Sequence, residues 1–193
     1  ILDIGCGTGR ISKHFKDNDI HLVDISLKYL NEAKKNIPSA KIYHNKFLDI
    51  EFEHCFDNIF AFNNIQEQEE LEKFFSKAVS LLNKNGMLFV SYPNANSLHR
   101  IVGILNKHLK SIEEISNKSK NLGTVQMISS EIIENLSVKF NLEIELKKGF
   151  CLKPYTNEIM EKLDIELLNK LNNSQIMMEN YSAMTLSIFK KIS

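Results

Sequence analysis

The chain has 193 residues, enough for one domain with a sizeable core, and its 24 basic and 24 acidic side chains leave a formal net charge of zero. That balance offers a polyanion no overall attraction, so nucleic acid is not an expected partner. Cys6, Cys55 and Cys151 are odd in number and form no C-x-x-C pair, which argues against a disulfide framework and a structural zinc site and suits a reducing cytoplasm.

In chain order, the first half alternates short apolar runs with helical patterns, the signature of parallel βαβ units. Ile1 to Ile4 ends a strand, and the segment after Gly9 reads as a helix to about Asn18. Ile20 to Asp24 is a second strand. Ser26 then caps a helix carrying Leu27, Leu30, Ala33 and Ile37 on one face, with Pro38 just past its end. Lys41 to Phe47 and Phe56 to Phe62 are the third and fourth strands. A helix over about 67 to 84 follows, with Leu71, Phe74, Phe75, Ala78, Val79 and Leu82 at helical spacing. Asn85-Gly86 stops it, and Met87 to Tyr92 is the fifth strand.

The alternation breaks at Pro93. Residues 95 to about 122 are helical but polar, and the segments of about 95–128 and 151–181 read as a lid or insertions over the pocket. Ser129 and Ser130 open a helix using Ile132, Ile133 and Leu136. Leu142 to Leu146 and Met184 to Phe189 form two late strands, expected as an antiparallel pair on the sheet edge. The fold class is therefore α/β, Rossmann-like, with a mainly parallel twisted sheet and helices on both faces. No apolar run approaches the roughly 18–20 residues that cross a bilayer. The whole of 1–193 reads as one domain. Because the chain begins inside its first strand, an upstream helix and the start of that strand are expected to lie outside it.

The first ten residues carry the chemistry. Gly5, Gly7 and Gly9 remove Cβ atoms where the backbone must turn sharply and a ligand must lie against the main chain. A dinucleotide fingerprint needs its third glycine at position 10, which is Arg10, so the spacing is G-x-G-x-G instead. Asp3 stands two residues before Gly5, where its carboxylate can brace the loop or accept a hydrogen bond from a ligand ammonium group, and where a pyrophosphate would be repelled. Asp24 ends the second strand nineteen residues after Gly5, a distance that carries the chain through one helix and back to the neighbouring strand tip, where a carboxylate can take both ribose hydroxyls. Arg10 and Arg100 are the only arginines, and bidentate planar recognition is the task lysine performs poorly.

The string Ile1-Leu2-Asp3-Ile4-Gly5-Cys6-Gly7-Thr8-Gly9-Arg10 resembles motif I of the class I S-adenosylmethionine-dependent methyltransferases. The resemblance implies that Asp3, Gly5, Cys6, Gly7, Gly9 and Arg10 cradle S-adenosylmethionine, that Asp24 holds its ribose and Ile25 lies under its adenine, and that Phe47 and Asn63 contribute further contacts. The expected acid after strand three is replaced by Lys46, with Asp49 nearby. Where many such enzymes read Leu-Glu-His, this chain has Ile65-Gln66-Glu67. The loop Pro93-Asn94-Ala95-Asn96-Ser97-Leu98-His99-Arg100 and the stretch Phe150 to Asn157 resemble a subgroup from bacterial surface-polysaccharide pathways, whose Gly-His-x-Arg element appears here as Gly123-Thr124-Val125-Gln126.

That resemblance implies methyl transfer to a small polar acceptor, a hydroxyl of a sugar or surface-glycan precursor, leaving S-adenosylhomocysteine. His99 and Glu67 are the candidate bases, and Tyr92, Asn94, Arg100 and Lys153 the candidate acceptor contacts. No carboxylate–histidine cluster at ligand spacing points to a metal, and His14, His21, His44, His54 and His108 read as partnerless. Two other readings stand beside this one: a catalytically silent cofactor-binding subunit, and a nicotinamide oxidoreductase. Oligomeric state is not legible.

Overall fold

The computed structural model describes residues 1–174 and 179–192; four positions of the expected 151–181 insertion, 175–178, lie outside the described residues. Seven strands form one sheet in the order β3-β2-β1-β4-β5-β7-β6. β1 (Leu2–Ile4), β2 (His21–Asp24), β3 (Lys41–His44), β4 (Phe56–Phe62) and β5 (Leu82–Pro93) are mutually parallel, and β7 (Met184–Lys191) runs antiparallel to both β5 and β6 (Leu142–Phe150). The expected Rossmann-like sheet with a late antiparallel pair is present. β7 takes the inner position because alternate residues Thr185, Ser187 and Phe189 are buried, whereas β6 carries Glu143, Glu145, Lys147 and Lys148 and suits an edge exposed to water.

Strand residues bury apolar groups on both faces, as parallel strands covered by helices must. On one side, Ile20 just before β2 and Leu22 within it pack with Leu30, Ala33 and Ile37 from α1 (Leu27–Asn36) and the residue after it. Ser26 caps α1 by accepting the Tyr29 N–H at 3.4 Å. The helix ends at Asn36 because Ile37 precedes a proline and is pushed out of the helical region. On the other side, Leu2, Ile4, Val23, Ile59 and Leu88 meet Phe74 and Phe75 of α2 (Leu71–Ser80) and Ile133 and Leu136 of α5 (Ser130–Lys139).

Four local expectations are corrected. Instead of a helix to Asn18, the segment after Gly9 makes one 3-10 turn at Ser12–Phe15; no side chain caps it and no acid sits in its first turn, too little to nucleate a helix. α2 stops at Ser80 rather than 84, because Leu82 is drawn into β5, where it pairs with Phe56 and is 1% exposed. Asn85 then adopts φ 61° inside β5 as a bulge. The third strand ends at His44, and Phe47 begins a 3-10 turn. His21, read as partnerless, is fully buried with its Nδ1 2.9 Å from the Tyr43 hydroxyl.

The region after β5 is two helices rather than one polar run: α3 (Leu98–Leu105) and α4 (Asn117–Asn121), the second capped by Ser116. Two further helices, α6 (Asn157–Met160) and α7 (Ile165–Ser174), precede β7. Among the described residues, no helix is long and apolar enough to cross a membrane.

Phe75 is fully buried, its ring 6.0 Å from that of Phe189 and 6.1 Å from that of Phe74. It joins α2 to β7. Truncation by Phe75→Ala should cost about 3–5 kcal/mol of unfolding free energy, measured by urea titration; a loss under 1 kcal/mol would show that α2 does not anchor the sheet.

Candidate functional site at the carboxyl ends of the strands

In this strand order the chain runs outward from β1 to β2 and β3, then returns to β4 on the opposite side of β1. The crevice at that reversal, beyond the carboxyl ends of β1 and β4, is where open α/β sheets bind ligands. The glycine loop fills its floor. Gly5, Gly7 and Gly9 have φ of 68°, 54° and 69°, a conformation that side-chain-bearing residues avoid. A Cβ on Gly5 would lie 2.5 Å from the Asn64 amide nitrogen, so that position is closed by packing. A Cβ on Gly7 would meet nothing within 4 Å: its backbone faces open space.

Asp24 organises the loop. Its Oδ2 accepts the Gly7 N–H at 2.8 Å and its Oδ1 accepts the Ser26 N–H at 2.8 Å. A carboxylate has about four acceptor sites, so each oxygen keeps one for a ligand hydroxyl. Beside it the Ile25 side chain is 71% exposed, an uncovered apolar platform. The His44 ring, 3.1 Å from the Ile25 carbonyl through Nε2, pins that residue from β3, a role with no local signature in the sequence.

Asp3 is 3% exposed and accepts a 2.5 Å hydrogen bond from the Ser12 hydroxyl. Burial, against the Ser12 bond and with the charge of Asp24, raises its pKa to about 6. Glu67 stands at the rim in a 3-10 turn after β4. Its pKa is also raised, by partial burial and then by Asp24. Three carboxyl groups thus converge on one crevice, and the field there favours a cationic ligand. Arg10 is exposed at the loop's end. Cys6 is half-buried and packs toward the core under α1; burial pushes its thiol pKa far up, so it is no nucleophile.

Asn63, exposed with φ 55°, closes the crevice from β4, its N–H donating to the Ser91 carbonyl at 2.8 Å. Next to it Asn64, buried, donates from its amide to the Ile4 carbonyl, bracing β4 against β1. Its importance and that of Ser12 escaped the sequence reading, since both act through contacts distant along the chain. Phe47 is elsewhere: 5% exposed, it packs its ring 5.1 Å from that of Phe74, in the core rather than against the crevice.

The acceptor candidates divide. Tyr92 is 1% exposed, its hydroxyl 3.5 Å from Ser187, and offers no surface to a substrate. Asn94 spends its amide on the carbonyls of Asn180 and Ser182 and its oxygen on the Asn96 N–H. Arg100, buried, donates to the Ile112 and Glu114 carbonyls and so ties the segment after α3. Both hold loops together. His99, Arg100, Gln66 and Thr124 line a small cavity of about 70 Å³, around which Gln66 Oε1, His99 Nδ1 and Arg100 Nε are buried without a partner. Such a space is roomy enough for ordered water. Burial, then the charges of Lys153 and Arg100, lower the His99 pKa to about 4, so it is neutral at physiological pH and a weak base. Lys153 is half-buried beside it.

The segment around 123–126 crosses the β4 loop. Val125 and Gln126 donate backbone N–H groups to the Gln66 carbonyl at 2.9 and 3.2 Å, and Gly123 lies beside Glu67, where an added Cβ would sit 3.8 Å from its Cδ. The larger hollows, about 430 and 600 Å³, contain no glycine-loop residue.

A buried acid retained with a raised pKa weakens the fold. Between pH 4 and pH 6 the unfolded chain ionises at Asp3 while the folded chain does not, so stability falls through that window and the full cost, about 3 kcal/mol, persists above it. Asp3→Asn keeps an acceptor for Ser12 and should stabilise the chain by about 1–3 kcal/mol at pH 7.5, with no gain near pH 4. Urea titrations at the two pH values decide it; equal stability of the two chains at pH 7.5 would refute the assignment.

Residues 1–86 match the family described as Methyltransferase domain. Over 95 residues the chain is 30% identical to an uncharacterized methyltransferase of Alkaliphilus oremlandii; the match covers 47% of this chain and 44% of that protein, so it spans less than half the length of this curated relative. Among solved structures, an S-adenosylmethionine-dependent methyltransferase from Mesorhizobium loti superposes with a TM-score of 0.66 at 14% identity, covering 98% of this chain and 89% of that one. The N-methyltransferase NodS from Bradyrhizobium japonicum, bound to S-adenosylhomocysteine, gives 0.63 at 11% identity, covering 100% and 77%. With the methyltransferase-domain match over its first 86 residues and these superpositions over almost its whole length, the chain has the Rossmann-like fold of the S-adenosylmethionine-dependent methyltransferases.

Proposed function

We propose that the chain is a methyltransferase that binds S-adenosylmethionine in the glycine-loop crevice and methylates a hydroxyl of a small polar acceptor, such as a sugar of a surface-glycan precursor. The observation that carries the cofactor is the convergence of Asp3, Asp24 and Glu67 on one crevice. A sulfonium and an ammonium group suit that field, and a pyrophosphate does not. The site fits the cofactor in shape as well: Gly7 presents open backbone, Asp24 keeps two free acceptor sites for ribose hydroxyls, and Ile25 offers an exposed face for adenine. Asp3, Cys6, Gly5, Gly9, Arg10 and Asn63 form the remaining wall.

When bound, S-adenosylmethionine supplies an electrophilic methyl group. The protein's own work is alignment, exclusion of water and removal of a proton. Glu67 is the better placed base, because it stands at the rim beside Asp24 with a raised pKa, whereas His99 is held neutral with a pKa near 4. Its carboxylate takes the acceptor's hydroxyl proton as the new carbon–oxygen bond forms. The segment 95–128 covers the acceptor side, fastened to Gln66 through Val125 and Gln126, and Lys153 and Arg100 give that side the positive character that suits an acidic or phosphorylated sugar precursor. The sugar itself rests on the resemblance of the 93–100 and 150–157 segments.

Asp24→Ala removes two charge-assisted acceptor sites, each worth roughly 1.5–3 kcal/mol. Calorimetry should show S-adenosylmethionine binding at least tenfold weaker; a change within about twofold would place the cofactor elsewhere. Glu67→Gln should lower kcat roughly 10²–10⁴-fold, far more than the modest weakening of cofactor binding expected from the lost charge, tested with labelled S-adenosylmethionine and sugar-nucleotide acceptors. Since the base must be deprotonated, the parent rate should rise with pH through a value above the ordinary carboxylate range, and this limb should vanish in Glu67→Gln. Persistent lack of transfer to any acceptor would favour the silent subunit.

A further inference from the structure

We infer that Asp19, His21 and His54 form a binding site for a divalent transition-metal ion of the zinc class, at the end of the sheet opposite the glycine loop. His21 opens β2, three residues before Asp24, so the site stands roughly 10 Å along the strand from the crevice. Its imidazole is 0% exposed. Its Nε2 lies 3.2 Å from Asp19 Oδ2 and 3.3 Å from His54 Nε2, and the three ligand atoms all fall within 4.8 Å of one another.

Those separations match what an ion requires. With bonds of about 2.0–2.1 Å to nitrogen and oxygen in a tetrahedral shell, neighbouring donors stand about 3.3–3.4 Å apart. His21 Nε2 meets that spacing with both partners. The remaining pair, Asp19 and His54, is exposed on both sides, so its separation adjusts without disturbing the core. Two imidazoles and one carboxylate leave the fourth position for water, and this donor set suits zinc or cobalt rather than calcium or magnesium.

The surroundings are built for the same purpose. Tyr43 stands 2.9 Å from His21 Nδ1; with Nδ1–H donating to its hydroxyl oxygen, the Nε2 lone pair points at the ion, the arrangement in which ligating histidines are normally oriented. His54 is held by edge contact with the His21 ring at 4.7 Å. Lys41 Nζ lies 3.2 Å from His21 Nε2 and 3.3 Å from Asp19 Oδ2, an exposed cation drawn to the place where a metal would sit. An ion there joins the turn before β2 to the segment before β4, independently of the methyl-transfer site.

Titration of the chelator-treated chain with Zn²⁺ by calorimetry, and with Co²⁺ by visible absorption, tests the site. One ion should bind per chain. His54→Ala and Asp19→Asn, both at exposed positions, should each weaken binding at least tenfold, and His54→Ala should erase the tetrahedral Co²⁺ band. Lys41→Ala should tighten binding several-fold by removing the competing ammonium, while Cys55→Ser, next to His54, should leave it within twofold. No saturable binding, binding indifferent to His54→Ala, or binding lost in Cys55→Ser would overturn the proposal.

Discussion

The carboxylate of Asp24 is the constraint around which the crevice is assembled. It holds the Gly7 amide at the tip of the glycine loop and the Ser26 amide at the start of α1, so one side chain fixes both the loop and the helix that follows β2. The glycines make this possible by accepting positive φ, and Asn64 secures the other side by bonding β4 to the Ile4 carbonyl. A lost acceptor at position 24 would release two backbone amides at once, loosening the turn that a ligand must lie against.

Electrostatics gives this constraint its chemical meaning. Burying Asp3 near the charge of Asp24 costs stability, and its pKa is raised accordingly. Strain of this kind is retained where a site needs it. The acidic crevice contrasts with the neighbourhood of His99, where Lys153 and Arg100 add to burial in lowering the imidazole pKa. Glu67 stands at the rim of the acidic crevice with its pKa raised by partial burial and then by Asp24, whereas burial and the nearby cations keep His99 neutral.

Much of the frame was legible in the residues because parallel strands and their helices obey short-range rules. Alternating apolar runs, the Ser26 cap, Pro38 and Asn85-Gly86 each act through neighbours a few positions away. The errors were local as well. The segment after Gly9 lacks a cap and stays a 3-10 turn, and Leu82 leaves the helical pattern because the sheet buries it more completely than α2 could. The candidate acceptor residues were harder to place, since Tyr92 near the end of β5, Asn94 just after it and Arg100 in α3 are polar groups whose partners are Ser187, Asn180 and Ile112. Nothing within a few residues distinguishes a side chain that bonds a distant carbonyl from one that waits for a ligand.

By itself the sequence determined the glycine turn, the acid before it and the acid at the end of β2, because spacing along a βαβ unit converts directly into position at a strand tip. Only the tertiary structure decided which carboxylates share a field, which loop residues are spent on the fold, and that Asp19, His21 and His54 meet. Those outcomes depend on desolvation and on contacts between segments far apart in the chain, such as Tyr92 with Ser187, 95 residues away, and such contacts exist only once the sheet has assembled.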